Sequence, residues 1–351
     1  MEGRPGGMWV LFAALSLLAA TLLPPAVGAS TGDTATDPCP GLEAIILPSG
    51  AVTCTHGPDP LEGLVGPHPH GGDDAEHSDS DLLPADPDGP GTHAPVPDSV
   101  PCFGDGRDGN RVQAIYAVPS DRPERYEDTV DDIRRWAAQT DSVFVSSAAL
   151  YGETRHVRFV TDSRCRLVVE RVVLSPAADD NFRATVLELA ARGYHRPDRR
   201  YLVWMDSDVL CGIGQLHRDE RSTGNLNDGA GAGLVARVDT RCWGLLELMG
   251  TSVEAHELVH TLGGVNPTAP HATPLGHCTD DGDVMCYQDA PLTKLAEVCP
   301  PEGDALLDCN GDDYFNPTPA AGSYLDTHWN VADSSFLSAA EGRPGRSFSA
   351  G

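Results

Sequence analysis

The sequence predicts an α+β domain of layered α/β character, and three observations predict it. Between residues 101 and 265, valine-rich runs of strand length alternate with longer segments of helical period. No internal repeat is present, so solenoids and propellers are set aside. The chain has 351 residues, 40% of them hydrophobic, enough for one large core or two modest ones.

Taken in order, residues 1–29 have the layout of a secretory signal peptide: Arg4, an apolar run from Trp9 to Leu23, and small residues before a cut near Ala29. The run is shorter than the roughly 20 residues of a spanning helix. A secreted, extracellular protein with no membrane association after signal cleavage is expected. Residues 30–100 are acidic and rich in Pro, Gly, Asp and His. They bury too little apolar surface to offset chain entropy, so a linker or pro-region is expected. A small Cys39–Cys54 loop precedes it, and His68, His70, His77 and His93 read as solvated.

The main domain is expected over residues 101–340. NRVQAIYAVP reads as a strand, and RYEDTVDDIRRWAAQTDSVF as a helix with Val130, Ile133 and Trp136 on one face. RHVRFVTD and CRLVVERVVLS are strand-like. NFRATVLELAARGY is a helix that ends at Gly193. RRYLVWMDSD is a central strand, GLVARVDTR another strand, and TSVEAHELVHTLGG a third helix. Thr251 with Glu254 forms a capping-box pattern at its start, and Gly263 suits the left-handed turn at its end. Beyond residue 265 the chain is mostly loop, closed by disulfides, with a flexible tail over 341–351.

Ten cysteines in an exported chain allow five bridges. Close spacing suggests Cys39–Cys54, Cys278–Cys286 and Cys299–Cys309, and leaves Cys102, Cys165, Cys211 and Cys242 unassigned. Cys102 reads as a disulfide partner rather than a zinc-ligating latency residue. The net charge of −28 argues against nucleic acid or an anionic membrane as partner.

The third helix carries the chemistry. His256 and His260 are four residues apart and share one helix face, the spacing with which two imidazoles hold one Zn2+. Glu257 lies on the adjoining flank, where it reaches water rather than metal. HELVHTLGG resembles the metzincin metalloprotease signature H-E-x-x-H-x-x-G-x-x-H, with Gly263 at its turn and Asn266 where that family has its third ligand. PLGHCTDDGDVMCY is similar to the matrix-metalloprotease form of the following segment, which places the displaced third ligand at His277 and the Met-turn residue at Met285. His271, within loop reach, is the alternative third ligand.

The resemblance implies a mixed twisted sheet with an active-site helix and a loop-rich, disulfide-closed C-terminal part. It implies a monomeric zinc endopeptidase acting on protein or peptide, with Glu257 as general base. Tyr287, two residues after Met285, would touch the zinc or the oxyanion, and Gly233–Arg241 would be the edge strand that pairs with substrate. Two other outcomes remain: an inactive secreted zinc-binding domain, or a zinc hydrolase of non-peptide amides or esters. Asp280–Asp283 and Asn310–Asp313 offer carboxylates for Ca2+, but neither has the EF-hand spacing, so they read first as solvated acidic loops and second as a Ca2+ site. His195 and His217 read as surface histidines, and His328 as packing with Trp329, Tyr314, Phe315 and Tyr324.

Overall fold

The structure is a computed structural model and describes residues 37–61, 99–299 and 305–343. The expected signal peptide, the four histidines of the linker and most of the tail lie outside the described residues. No helix among the described residues is long and apolar enough to cross a membrane.

A hairpin of β1 (Glu43–Ile46) and β2 (Val52–Thr55) comes first. Strand β3 (Arg111–Pro119), helix α1 (Tyr126–Ala149), β4 (His156–Val157), β5 (Val169–Leu174) and helix α2 (Phe182–Ala191) follow. Then come β6 (Arg199–Met205), β7 (Gly212–Gly214), β8 (Leu234–Asp239), the short α3 (Leu246–Met249) and helix α4 (Val253–Leu262). The C-terminal part holds only β9 (Asp280–Asp281), β10 (Ala296–Glu297), α5 (Tyr324–Thr327) and β11 (Leu337–Ser338) between loops. The α+β class expected from sequence is the one observed.

Five strands form the main sheet in the order β5-β3-β6-β8-β7, with β7 alone antiparallel. Side chains of a strand alternate between faces, so β3 and β6 serve two cores at once. Ala114, Tyr116, Val118, Leu202 and Trp204 pack with α1 and α4 on one face. Ile115, Ala117, Tyr201, Val203 and Met205 pack with Phe182, Val186 and Leu189 of α2 on the other. Burial on both faces explains why these strands read as continuous apolar runs rather than alternating ones.

The edge strand differs from expectation. Residues 233–241 are not at the edge, because β7 pairs outside β8, with Ile213 opposite Arg237. A buried ion pair inside β8 helps to set this edge: Arg237 Nε lies 2.7 Å from Asp239 Oδ1, and Asp239 Oδ2 accepts from the backbone N–H groups of Val209 and Leu210. The capping box is also corrected. Ser252 caps α4 by accepting from the Ala255 N–H, while Glu254 is buried and accepts from Trp204 Nε1 and the Gly244 N–H. Gly263 does end the helix, at φ 94°.

All ten cysteines are paired: the three expected bridges form, and Cys102–Cys165 and Cys211–Cys242 complete the set. Buried aspartates take the place of regular structure in the C-terminal loops. Asp308 accepts from the backbone N–H groups of Asp312, Asp313, Tyr314 and Phe315. Asp283 accepts from the Met285 N–H and the Tyr314 hydroxyl. His328 stacks on Tyr324, one of the four aromatic partners expected for it, with ring centroids 4.2 Å apart.

His217 is buried rather than on the surface, at 7% exposure. Burial, with the Arg200 guanidinium nearby, lowers its pKa to about 4 from the ordinary 6.5. Above pH 6.5 the ring is neutral in both folded and unfolded chains and affects nothing. Below that value the unfolded chain takes up the proton first, so stability falls as pH drops from 6.5 to about 4. Denaturant unfolding at pH 7 and pH 4 should show this loss, worth about 3 kcal/mol, reduced by that amount in His217→Gln.

Candidate metal centre

Helix α4 places His256, Glu257 and His260 in the interior, each 0% exposed. It packs under β7 and β8, and two glycines permit the approach. A Cβ at position 212 would sit 2.0 Å from Glu257 Oε1, and one at 214 would sit 2.8 Å from His260 Cβ. Position 277 is brought to the same point by the loop after α4, pinned by the Cys278–Cys286 bridge. The ring centroids of His256, His260 and His277 are 4.9, 5.0 and 5.3 Å apart.

The outer nitrogens fix which way these rings face. His256 Nδ1 donates to the Val284 carbonyl at 2.6 Å, and His260 Nδ1 to the Gly264 carbonyl at 3.0 Å. His277 Nδ1 meets the Asp289 carboxylate at 3.2 Å. Carbonyls and carboxylates only accept, so each Nδ1 carries hydrogen and each ring turns its Nε2 inward, bare whenever the ring is neutral. The Nε2 atoms of His256 and His260 face each other at 3.2 Å. Two lone pairs at that distance repel unless a proton or a metal cation lies against them. His277 Nε2 is likewise buried without a hydrogen-bond partner among the described residues. Burial, and then the neighbouring imidazoles, hold the His260 pKa well below its ordinary value. His277 is raised despite burial, by Asp59 and Asp289.

Two further residues reach the site from the hairpin, and sequence analysis missed both. The segment after β2 runs antiparallel to the edge: Cys54 bridges to Leu216, and the Asp59 N–H donates to the Gly212 carbonyl at 3.0 Å. Asp59 thereby enters the centre, with Oδ2 at 3.1 Å from His256 Nε2 and Oδ1 at 3.4 Å from His277 Nε2. Burial opposes its charge, but His56, His256 and His277 hold its carboxyl well below the usual range. His56 lies against His260 with ring centroids 4.2 Å apart, and its Nδ1 is 3.2 Å from Asp59 Oδ1. Donor atoms of His56, Asp59, His260 and His277 all lie within 4.8 Å of one another, as do those of Asp59, His256, Glu257 and His260. The expected linker therefore begins with a folded segment that belongs to the site. Its only sequence signal is a short β-rich stretch, VTCT, ahead of His56.

Both oxygens of Glu257 are buried without a hydrogen-bond partner among the described residues. Burial, with Asp59 adding to it, raises its carboxyl pKa well above the ordinary value. The Tyr287 hydroxyl donates to Asp59, and burial together with Asp59 raises its pKa, so the phenol stays protonated. Tyr287 also lies against His277, with ring centroids 4.4 Å apart. Met285 is fully buried in the main core. His271 is elsewhere: its Nδ1 faces Asp280, Asp312 and Asp313. Asn266 is buried and donates to the Trp329 carbonyl. Cys102 is bonded to Cys165 and is no part of the centre.

Three imidazole nitrogens with a carboxylate oxygen form a donor set suited to Zn2+, and the inward nitrogens are what the fit rests on. Asp289 acts through His277: it orients the ring and is itself held by Thr273 and Thr293. Asp289→Ala should weaken metal affinity roughly 10–100-fold, read by chelator competition on the full chain. No protein-family model matches the chain, and no curated protein matches it. What the geometry establishes is a buried group of histidines and carboxylates that can hold a metal ion.

Proposed function

We propose that the protein is a secreted zinc-dependent endopeptidase of metzincin type, in a precursor form whose site is covered by its own residues 56–59. The observation that carries this is the inward convergence of His256, His260 and His277 beside a buried Glu257 whose oxygens have no hydrogen-bond partner among the described residues. Those three histidines would hold the ion, and Asp59 would complete its shell in the covered form. When bound, zinc supplies Lewis-acid chemistry: it acidifies water and polarises a carbonyl oxygen.

The chain's own groups supply the rest. Glu257 has a raised proton affinity and no hydrogen-bond donor among the described residues, His56 Nε2 lying 4.0 Å away, which suits a general base that takes a proton from water and delivers it to the leaving amine. The Tyr287 O–H, directed at Asp59 in the covered form, becomes available to an oxyanion once Asp59 leaves. Substrate would take the path the covering segment now follows, an extended backbone antiparallel to Gly212–Gly214. That path favours a peptide over a compact amide or ester. Five disulfides fit an extracellular setting.

Casein hydrolysis by the full chain, with a chelator control, tests this in two directions. Glu257→Gln should lower the rate by about 10²–10⁴-fold while metal content is unchanged. Wild-type activity in that variant would rule out the assigned base. Asp59→Ala should raise the rate of the unprocessed chain by roughly tenfold or more, since it removes a buried charge contact that holds the cover down.

A further inference from the structure

We propose a second divalent-cation site, of zinc type, formed by His271, Asp280, Asp312 and Asp313. The four come from three separate segments. His271 lies in the loop between His260 and His277, Asp280 opens β9, and Asp312 and Asp313 lie in the loop after Cys309. One donor atom from each lies within 4.8 Å of the others.

The protein atoms alone do not satisfy this cluster. His271 Nδ1 is 3.0 Å from Asp280 Oδ2, 3.4 Å from Asp313 Oδ2 and 3.5 Å from Asp312 Oδ1. A single ring N–H can serve one of those oxygens, not three. His271 is also the sole basic group in ion-pairing range of these three carboxylates among the described residues. Asp280 is 2% exposed, and its Oδ1 has no hydrogen-bond partner among the described residues. Asp312 Oδ1 is buried and has no hydrogen-bond partner among the described residues either. A buried carboxylate oxygen without a hydrogen-bond donor is costly, and a metal ion at the meeting point removes that cost for Asp280 and Asp312.

The orienting contacts are already made. Asn310 Nδ2 donates to Asp280 Oδ2 at 2.7 Å, and the His271 backbone N–H donates to Asp313 Oδ1 at 2.9 Å. One imidazole with three carboxylates suits a zinc-class ion; Ca2+ takes an all-oxygen shell and would leave the imidazole without a role. A cation here fastens the loop that delivers His277 to the C-terminal segment.

Zinc content by elemental analysis tests the site on the full chain, stripped by chelator, reloaded with Zn2+ and desalted. The expected content is two equivalents in the wild type and one each in His271→Gln and Asp312→Asn, both read with far-UV circular dichroism as a folding control. His277→Ala should also retain one equivalent. Wild-type zinc content in folded His271→Gln and Asp312→Asn would overturn the proposal. So would uptake of Ca2+ in place of Zn2+ that is unchanged in His271→Gln. The two centres separate cleanly: one wild-type equivalent lost in His271→Gln but kept in His277→Ala would support this site while removing the centre on α4.

Discussion

The structure turns on three buried imidazole rings, of His256, His260 and His277, brought to one point. Nothing in an apolar interior favours that arrangement by itself, so other parts of the fold must enforce it. The Val284 and Gly264 carbonyls and the Asp289 carboxylate each take a ring hydrogen on the outer side and turn the other nitrogen inward. Each acceptor lies on a different stretch of the chain from the helix centre. The long loop after α4, its two bridges and its buried aspartates are thus tied to the electronic state of the histidines.

The sheet contributes in a different way. Strands β3, β6 and β8 bury both faces and make the floor, while the short antiparallel β7 carries glycine at both positions that touch α4. The absent side chains let backbone lie directly over Glu257 and His260. At the far end of α4, the fully buried Arg200 donates to the Thr261 carbonyl at 2.7 Å, a cation placed where the helix dipole is negative. Helix position is therefore fixed from both ends.

The parts written locally were legible. The pairing of His256 with His260, the glycine stop at 263, the strand and helix order and the three short-range disulfides all follow from spacings within about two dozen residues. His277 needed an interval rather than a periodicity. What escaped was long-range or brief. Asp59 meets residues some two hundred positions away, and nothing in THGPD marks it as more than a turn. GIG is too short and too glycine-rich to read as a strand, so the edge was placed one strand too far in. His217, in a polar stretch, gave no sign of burial. Cys102–Cys165 and Cys211–Cys242 span 63 and 31 residues, too far for spacing to choose between partners.

The covering hairpin has a property of its own. Its only disulfide, Cys39–Cys54, closes on itself, and the other four bridges join residues beyond 99. While the chain is continuous, tethering keeps the hairpin at a high effective concentration beside His256, His260 and His277. A single cut between residues 61 and 99 would turn that contact into an encounter between two molecules. Release would then depend on dilution, and a hairpin shed from one copy would compete for the histidine centre of the next.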